Sequence, residues 1–303
     1  MGTRTPSKRA ASPARVDELV AGSLPPVIAA GLVFAASGAV LVLEILSVRL
    51  LAPYVGLTLE TTTSIIGAVL AGIAMGAALG GWTADRVNPY RLVVGLLIGG
   101  GLLVLLTVPI IRALGPSASE GGNAAAVGVT FAALVPVAAV LSAVTPSVAR
   151  LQLRDLRASG TIVGRLSAWA TAGALVGTFG TGFVLVPLLP VSSSVLAIGI
   201  VLVLAGVLLG AYTRVLGPVE IAGAGLATIG LAVLALAQHT PCNAETTYHC
   251  AQIEFDPERP TAELLLLDRG YNSEVDLNDP SFLGFRYERW IGDAITALGR
   301  PRA

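Results

Sequence analysis

Ser37-Gly38-Ala39-Val40-Leu41-Val42-Leu43-Glu44-Ile45-Leu46-Ser47-Val48-Arg49-Leu50-Leu51-Ala52-Pro53-Tyr54-Val55-Gly56 is the stretch on which the fold turns. It is apolar apart from a carboxylate near its middle and a guanidinium towards its end. The apolar run reaches back to about residue 26, and a helix of about 20 such residues is long enough to cross a hydrocarbon layer. An acid there is costly unless it is hydrogen-bonded or lines a polar route, so Glu44 reads either as a satisfied buried acid or as a functional group. Arg49, close to the end, can extend to the interface and act as an anchor.

Six further apolar runs follow at about 62 to 83, 92 to 112, 126 to 147, 167 to 189, 193 to 212 and 219 to 238. Composition agrees: 54% of the 303 residues are hydrophobic and 13% are charged, about half the charge of an ordinary soluble domain. The expected architecture is therefore an α-helical integral membrane protein of about seven spans over 23–238. A small C-terminal α+β segment would occupy 239–303. The N-terminal tail, 1–22, is rich in Arg, Ser, Ala and Pro with no apolar core, which excludes a secretory signal and predicts a disordered tail. A net charge of zero says nothing about acidic partners, and nucleic acid is not expected as one. Lysine occurs once, at Lys8, a bias that reads as a GC-rich genome rather than as chemistry.

Basic residues near span ends set the orientation. Arg4, Lys8, Arg9, Arg15, Arg86, Arg91, Arg150, Arg154, Arg157, Arg165 and Arg214 fall on one side, against Arg49 and Arg112 on the other. This predicts a multi-pass protein of the bacterial plasma (inner) membrane, with a cytoplasmic N-terminus and an extracytoplasmic segment after residue 238. The two cysteines, Cys242 and Cys250, both fall in that segment, where an oxidising compartment favours a disulfide. Free thiols and a metal site with His239 and His249 are the other readings. Adjacent His249 and Cys250 lack the ligand spacing of a tetrahedral site, so no metal is expected.

Within the spans, Gly81-x-x-x-Asp85-Arg86 resembles the first half of the loop signature of major facilitator transporters, without its final basic pair. An acid–base pair at a helix end can latch neighbouring helices. Thr145-Pro146 is expected to end the fourth span. In the fifth, Gly173 and Gly177, extended by Gly180 and Gly182, form a small-residue face suited to tight helix packing. Gly99-Gly100-Gly101 lies inside a span and lacks the strand-turn-helix setting of a nucleotide loop.

After Pro241 the pattern turns strand-like: Tyr248 to Phe255, then Ala262 to Asp268, then Tyr271 to Leu277, with turn chemistry at Asp256-Pro257 and Arg269-Gly270. This predicts a small antiparallel sheet. Asp279-Pro280 then introduces a helix with Tyr287, Trp290, Ile291, Ala294, Ile295 and Leu298 on one face, closed by Gly299 and Pro301.

The ordered motifs Cys242-x-x-Glu245-Thr246-x-Tyr248, Leu265-Leu266-Leu267-Asp268-Arg269-Gly270-Tyr271-Asn272-Ser273-x-Val275-Asp276, Asp279-Pro280 and Phe285-Arg286-Tyr287-Glu288-Arg289 resemble the N-terminal sheet and first helix of membrane-fused spermidine synthase-like proteins, of the polyamine aminopropyltransferase family. The first-span and fifth-span runs are similar to the membrane part of the same proteins. The resemblance implies aminopropyl transfer from decarboxylated S-adenosylmethionine to a polyamine. It places Tyr287 near the polyamine and Asn272 where soluble enzymes have a glutamine. Glu288 and Arg289 depart from the His-Glu that follows that tyrosine in soluble enzymes. The family's catalytic aspartate and Rossmann-like nucleoside domain are expected after Arg300-Pro301-Arg302-Ala303. This stretch is thus expected to hold neither catalytic residues nor a cofactor, and to act with the lipid bilayer and a separately encoded catalytic domain or further copies of itself. The alternative is a small-cation or polyamine transporter or scaffold in which Glu44 handles the cation or a proton.

Overall fold

The structure, a computed structural model, describes residues 24–153, 159–279 and 281–299. The expected tail 1–22, the loop residues Arg154 and Arg157, and Pro280 lie outside the described residues. Helix α1 (Pro26–Val55) opens with proline in its first turn and ends at Gly56, whose φ of 76° breaks the helix. Helix α2 (Leu59–Ala84) is capped by the Thr58 side chain, which accepts the Thr61 N–H, and α3 (Pro89–Glu120) by Asn88. Gly121 joins α3 directly to α4 (Gly122–Ser142), with α5 (Val144–Gln152) following. Then come α6 (Ser159–Gly180), α7 (Val191–Tyr212) and α8 (Pro218–Ala237). Among the described residues seven helical segments are long and apolar enough to cross a membrane, α4 and α5 counting as one.

Two prolines reshape this pattern. Thr145-Pro146 does not end the fourth segment: the helix breaks at Ala143 and resumes to Gln152, with Pro146 in the first turn of α5. Proline there lacks the N–H that would bond the Ser142 carbonyl and its ring crowds that carbonyl, so the chain bends one turn earlier and continues. Pro187 does the same to α6. Thr181–Leu185 winds as a π-helical turn, Val186 N–H reaches back to the Thr181 carbonyl, and a last turn, Val186–Leu188, follows.

Helix pairs meet at glycines. A Cβ built on Gly72, Gly76 or Gly80 of α2 would run into Ala138, Ala139 or Ala143. Gly38 of α1 faces Gly173 and Gly177 of α6, with Gly173 packed on the Phe34 backbone; of the expected small-residue face these two glycines are a helix contact, whereas Gly180 and Gly182 have open space around them. Gly101 of α3 meets Gly199 of α7 in the same way. Such contacts let backbones approach closely and gain dispersion where lipid-facing helices have no hydrophobic drive to associate. Leu46, Leu51, Ile65, Leu97, Leu105, Leu134 and Leu141 fill the fully buried space between them.

All the ends that face the C-terminal segment lie at one end of the bundle, the sheet end. The sheet is antiparallel in the order β1 (Ala244–Glu245), β2 (Cys250–Asp256), β3 (Arg259–Leu267), β4 (Gly270–Asp276). Two-residue β1, paired as Ala244 to Ala251 and Glu245 to Cys250, is too short to show a period and was absent from the expected three strands. The second link is Asp268-Arg269 rather than Arg269-Gly270, since Gly270 already pairs with Leu267. Asp268 takes the positive φ of 58°, a conformation aspartate tolerates better than most residues. Helix α9 (Arg286–Leu298) has Glu288 accepting the Phe285 N–H at its start and Gly299, at φ 73°, beyond its end.

The glycine contacts give a sharp comparison. Gly76→Ala, which drives a methyl group into the Ala139 backbone, should lower stability by about 1–3 kcal/mol. Gly67→Ala on the same helix, with open space around its Cβ, should be neutral or stabilising by roughly 0.5–1 kcal/mol. Thermal unfolding of the detergent-solubilised variants measures both, and equal midpoints would show that the α2–α4 contact does not hold the bundle.

Candidate functional site

Three arginines stitch the sheet to the helix ends. Arg112 of α3 donates to the carbonyls of Ala235 (2.6 Å) and Gln238 (3.4 Å) at the end of α8 and to Ser192 Oγ (2.9 Å) at the start of α7. Ser192 in turn donates to Glu245 Oε1 of β1 at 2.8 Å, and Arg112 lies 3.7 Å from the same oxygen. One guanidinium thereby ties together α3, α7, α8 and β1. A planar cation with five N–H donors suits this, because helix C-termini present unpaired carbonyls. Arg49 of α1 donates to the carbonyls of Thr247 (2.7 Å) and Thr246 (3.4 Å), and Arg269 of the β3–β4 turn to the Tyr54 carbonyl at 2.7 Å.

A disulfide joins Cys242, just before β1, to Cys250, the first residue of β2, with Cα atoms 5.2 Å apart, and so closes a loop that contains β1. The bond excludes both the free-thiol and the cysteine-ligand readings. Beside it, Asp268 is buried and its carboxylate accepts the Cys250 N–H (3.0 Å) and meets His249 Nδ1 at 2.7 Å. Asp268 N–H also donates to the Cys250 carbonyl at 2.8 Å. These bonds pin the strained turn residue and explain why aspartate stands there. A crevice of about 30 Å³ runs between Arg49, Arg112, Ser192, Glu245 and His249, room for one or two waters. Glu245 Oε2 is buried in this region without a protein partner. Among the described residues no group of three His, Cys, Asp or Glu comes together to hold a metal. Together these contacts latch the sheet to the helix ends electrostatically.

The residues singled out in the sequence fall in separate places. Glu44 is half-buried in the middle of α1 and makes no hydrogen bond or ion pair among the described residues. Arg49, expected to extend to the interface, donates to carbonyls of the chain after β1. Asp85 pairs at 3.3 Å with Arg150 of α5 rather than with Arg86, latching α2 to α5 at the end away from the sheet. Arg86 instead donates to the Trp82 carbonyl (2.7 Å) and stacks on the Trp82 ring, 4.0 Å from its centroid. Asn272 is the extra residue of a β-bulge in β4, exposed to solvent. Tyr287 is exposed on α9 and stacked on Phe285. No hydrogen bond joins Asn272 and Tyr287, and neither touches the arginine seam.

Arg112, Ser192, Glu245, Asp268 and Arg269 were not singled out as site residues. The readable signal for one of them was Arg112 itself: with Arg49 it breaks the arginine asymmetry, and an arginine on the poorly charged side requires a local partner. Ser192 and Glu245 carry no such mark. Comparison of the chain with protein-family models, with curated proteins and with solved structures finds no match.

Replacing Arg112 by methionine should destabilise the protein by about 2 kcal/mol, as expected for hydrogen bonds to a charged group that is mostly but not wholly sheltered. It should also open the sheet to protease while leaving the helices protected. Limited proteolysis with mass spectrometry follows this, and unchanged cleavage would show the seam to be incidental.

Proposed function

We propose that the chain is a membrane anchor whose C-terminal sheet and helix form a docking platform for a spermidine synthase-like catalytic unit, on the extracytoplasmic side. The observation that carries this is α9. Tyr287, Trp290, Ile291, Ile295 and Leu298 lie on one face at helical spacing, each more than half exposed, and the helix buries no residue. An amphipathic helix of this kind normally buries its apolar stripe against another layer. The sheet repeats the pattern: Ile253, Phe255 and Val275 are exposed on one face, as the strand register places them. The resemblance of the Asn272 and Tyr287 segments to aminopropyltransferases supplies the chemistry of the occupant, which would bring decarboxylated S-adenosylmethionine and the catalytic aspartate. The role of the seven helices is to hold the platform at the membrane through Arg49, Arg112 and Arg269.

Two measurements test this. In intact cells, a membrane-impermeant thiol reagent should label Cys242 and Cys250 only after reduction; labelling that needs permeabilised cells overturns the orientation. In nanodiscs, the purified chain should give no heat with decarboxylated S-adenosylmethionine and transfer no aminopropyl group. Adding a spermidine synthase-like catalytic unit should restore transfer, and Trp290→Glu with Ile295→Glu should abolish its recruitment. Turnover by the chain alone, or recruitment indifferent to those substitutions, defeats the proposal.

A second reading, a small-cation or polyamine transporter or scaffold, draws on Glu44, a carboxylate with no partner among the described residues inside an apolar helix. Glu44→Gln should then preserve folding and abolish cation-dependent flux into proteoliposomes. Flux unchanged by the substitution removes this reading.

A further inference from the structure

A second polar space at the sheet end shares Arg269 with the arginine seam. The start of α2, the α3–α4 hairpin and the β3–β4 turn border a half-open cavity of about 240 Å³, below the ~300–1,000 Å³ of pockets for drug-sized ligands and so fitted to a small solute. Its lining combines an acid, Glu60, with a base, Arg269, and neither makes an ion pair with the other or with any other described residue. Arg269 is held back by its bond to the Tyr54 carbonyl, which leaves its other N–H groups unengaged among the described residues.

The hydroxyls on the wall sort by what they can still do. Ser64 Oγ donates to the Glu60 carbonyl (2.7 Å), Ser119 Oγ to the Pro116 carbonyl (2.7 Å) and Thr130 Oγ1 to the Ala126 carbonyl (2.8 Å). Each proton is committed to the residue's own helix, and with Thr130 buried the Ser64 and Ser119 oxygens are the ones left to the cavity, as acceptors only. With the exposed Glu60 carboxylate, which also takes hydrogen bonds from its own N–H and the Thr58 hydroxyl, they make a pole that accepts N–H donors. Arg269 and the Asn123 amide, which has no bond among the described residues, form an opposite pole that can grip a carboxylate.

We propose that this cavity binds a small zwitterion of the free amino acid class, with its primary ammonium on Glu60 and the Ser64 oxygen and its carboxylate on Arg269. Two opposite charges that share a cavity without touching are satisfied together by one molecule carrying both complements. A simple amine or a simple carboxylate satisfies only one of them. The site uses neither α9 nor the exposed sheet face and shares with the docking proposal only Arg269.

Calorimetric titration of the nanodisc-embedded protein with glycine, alanine and 4-aminobutyrate tests this, beside propylamine, propionate and N,N,N-trimethylglycine. At least one of the three zwitterions should bind saturably at millimolar concentration or below, and propylamine and propionate at least tenfold more weakly. Trimethylglycine, which has no N–H to offer the acceptors, should not bind. Glu60→Gln and Arg269→Gln should each weaken binding at least tenfold. Because Arg269 also holds Tyr54, Glu60→Gln and Ser64→Ala, which alter no contact between sheet and bundle, keep the test separate from folding, with thermal unfolding as the check. Absence of saturable heat from all three zwitterions, propylamine binding as tightly as they do, or binding indifferent to both Glu60→Gln and Ser64→Ala would each overturn the proposal.

Discussion

Backbone-to-backbone contact at glycine crossings is the constraint on which the bundle depends. Helices whose surfaces are apolar all round gain little by exchanging lipid for one another, so specificity must come from how closely they can approach. The Gly38–Gly173–Gly177, Gly72–Gly76–Gly80 and Gly101–Gly199 contacts fix which helix meets which and at what axial position. The helices least involved, α6 beyond its α1 contact and α8 along most of its length, keep Phe179, Phe183, Leu226, Ile229 and Leu236 exposed, as a lipid-facing surface would.

Axial position matters because the polar seam is built on helix ends. Arg112 reaches carbonyls of α8 and a hydroxyl of α7 only if those ends stand level with it. The sheet has few buried residues of its own, chiefly Cys250, Ala262, Leu266 and Asp268, and cannot rest on an internal core. Its order comes from the β ladder, the Asp268 bonds, the three arginines, and a disulfide closing a short loop, worth roughly 2.5 kcal/mol by chain-entropy reasoning.

The seven long helices were legible because hydropathy over twenty residues is a strong signal, and their observed bounds lie within several residues of the expected ones except where α3 extends to Glu120 and α6 begins at Ser159. The disulfide was favoured by compartment and spacing. Details decided by a single backbone group were not legible: the break at Ala143, the π turn ahead of Pro187, and the Asp268-Arg269 link each depend on which neighbouring carbonyl or N–H is free in three dimensions. The site residues were hidden for a related reason. Glu245 and Ser192 gain meaning only when α3, α7 and β1 converge, and Asp85 found its partner in α5 rather than next door in Arg86. Glu44, the most conspicuous residue in the sequence, has no partner among the described residues.

The long reach of the arginine contacts bears on how the protein is made. Arg49 and the carbonyl of Thr247 are 198 residues apart, and Arg112 precedes the end of α8 by more than a hundred. A ribosome delivers both guanidiniums well before their acceptors exist, and domains generally assemble from the N-terminus onward during synthesis. Throughout that interval the two side chains must stay hydrated at the edge of the nascent bundle, holding α1 and α3 at a fixed depth. Ser192, Ala235 and Gln238 become available to Arg112 first, and Glu245 and Thr247 then complete the acceptors of both cations, so the seam closes only on helices that already stand at their proper level.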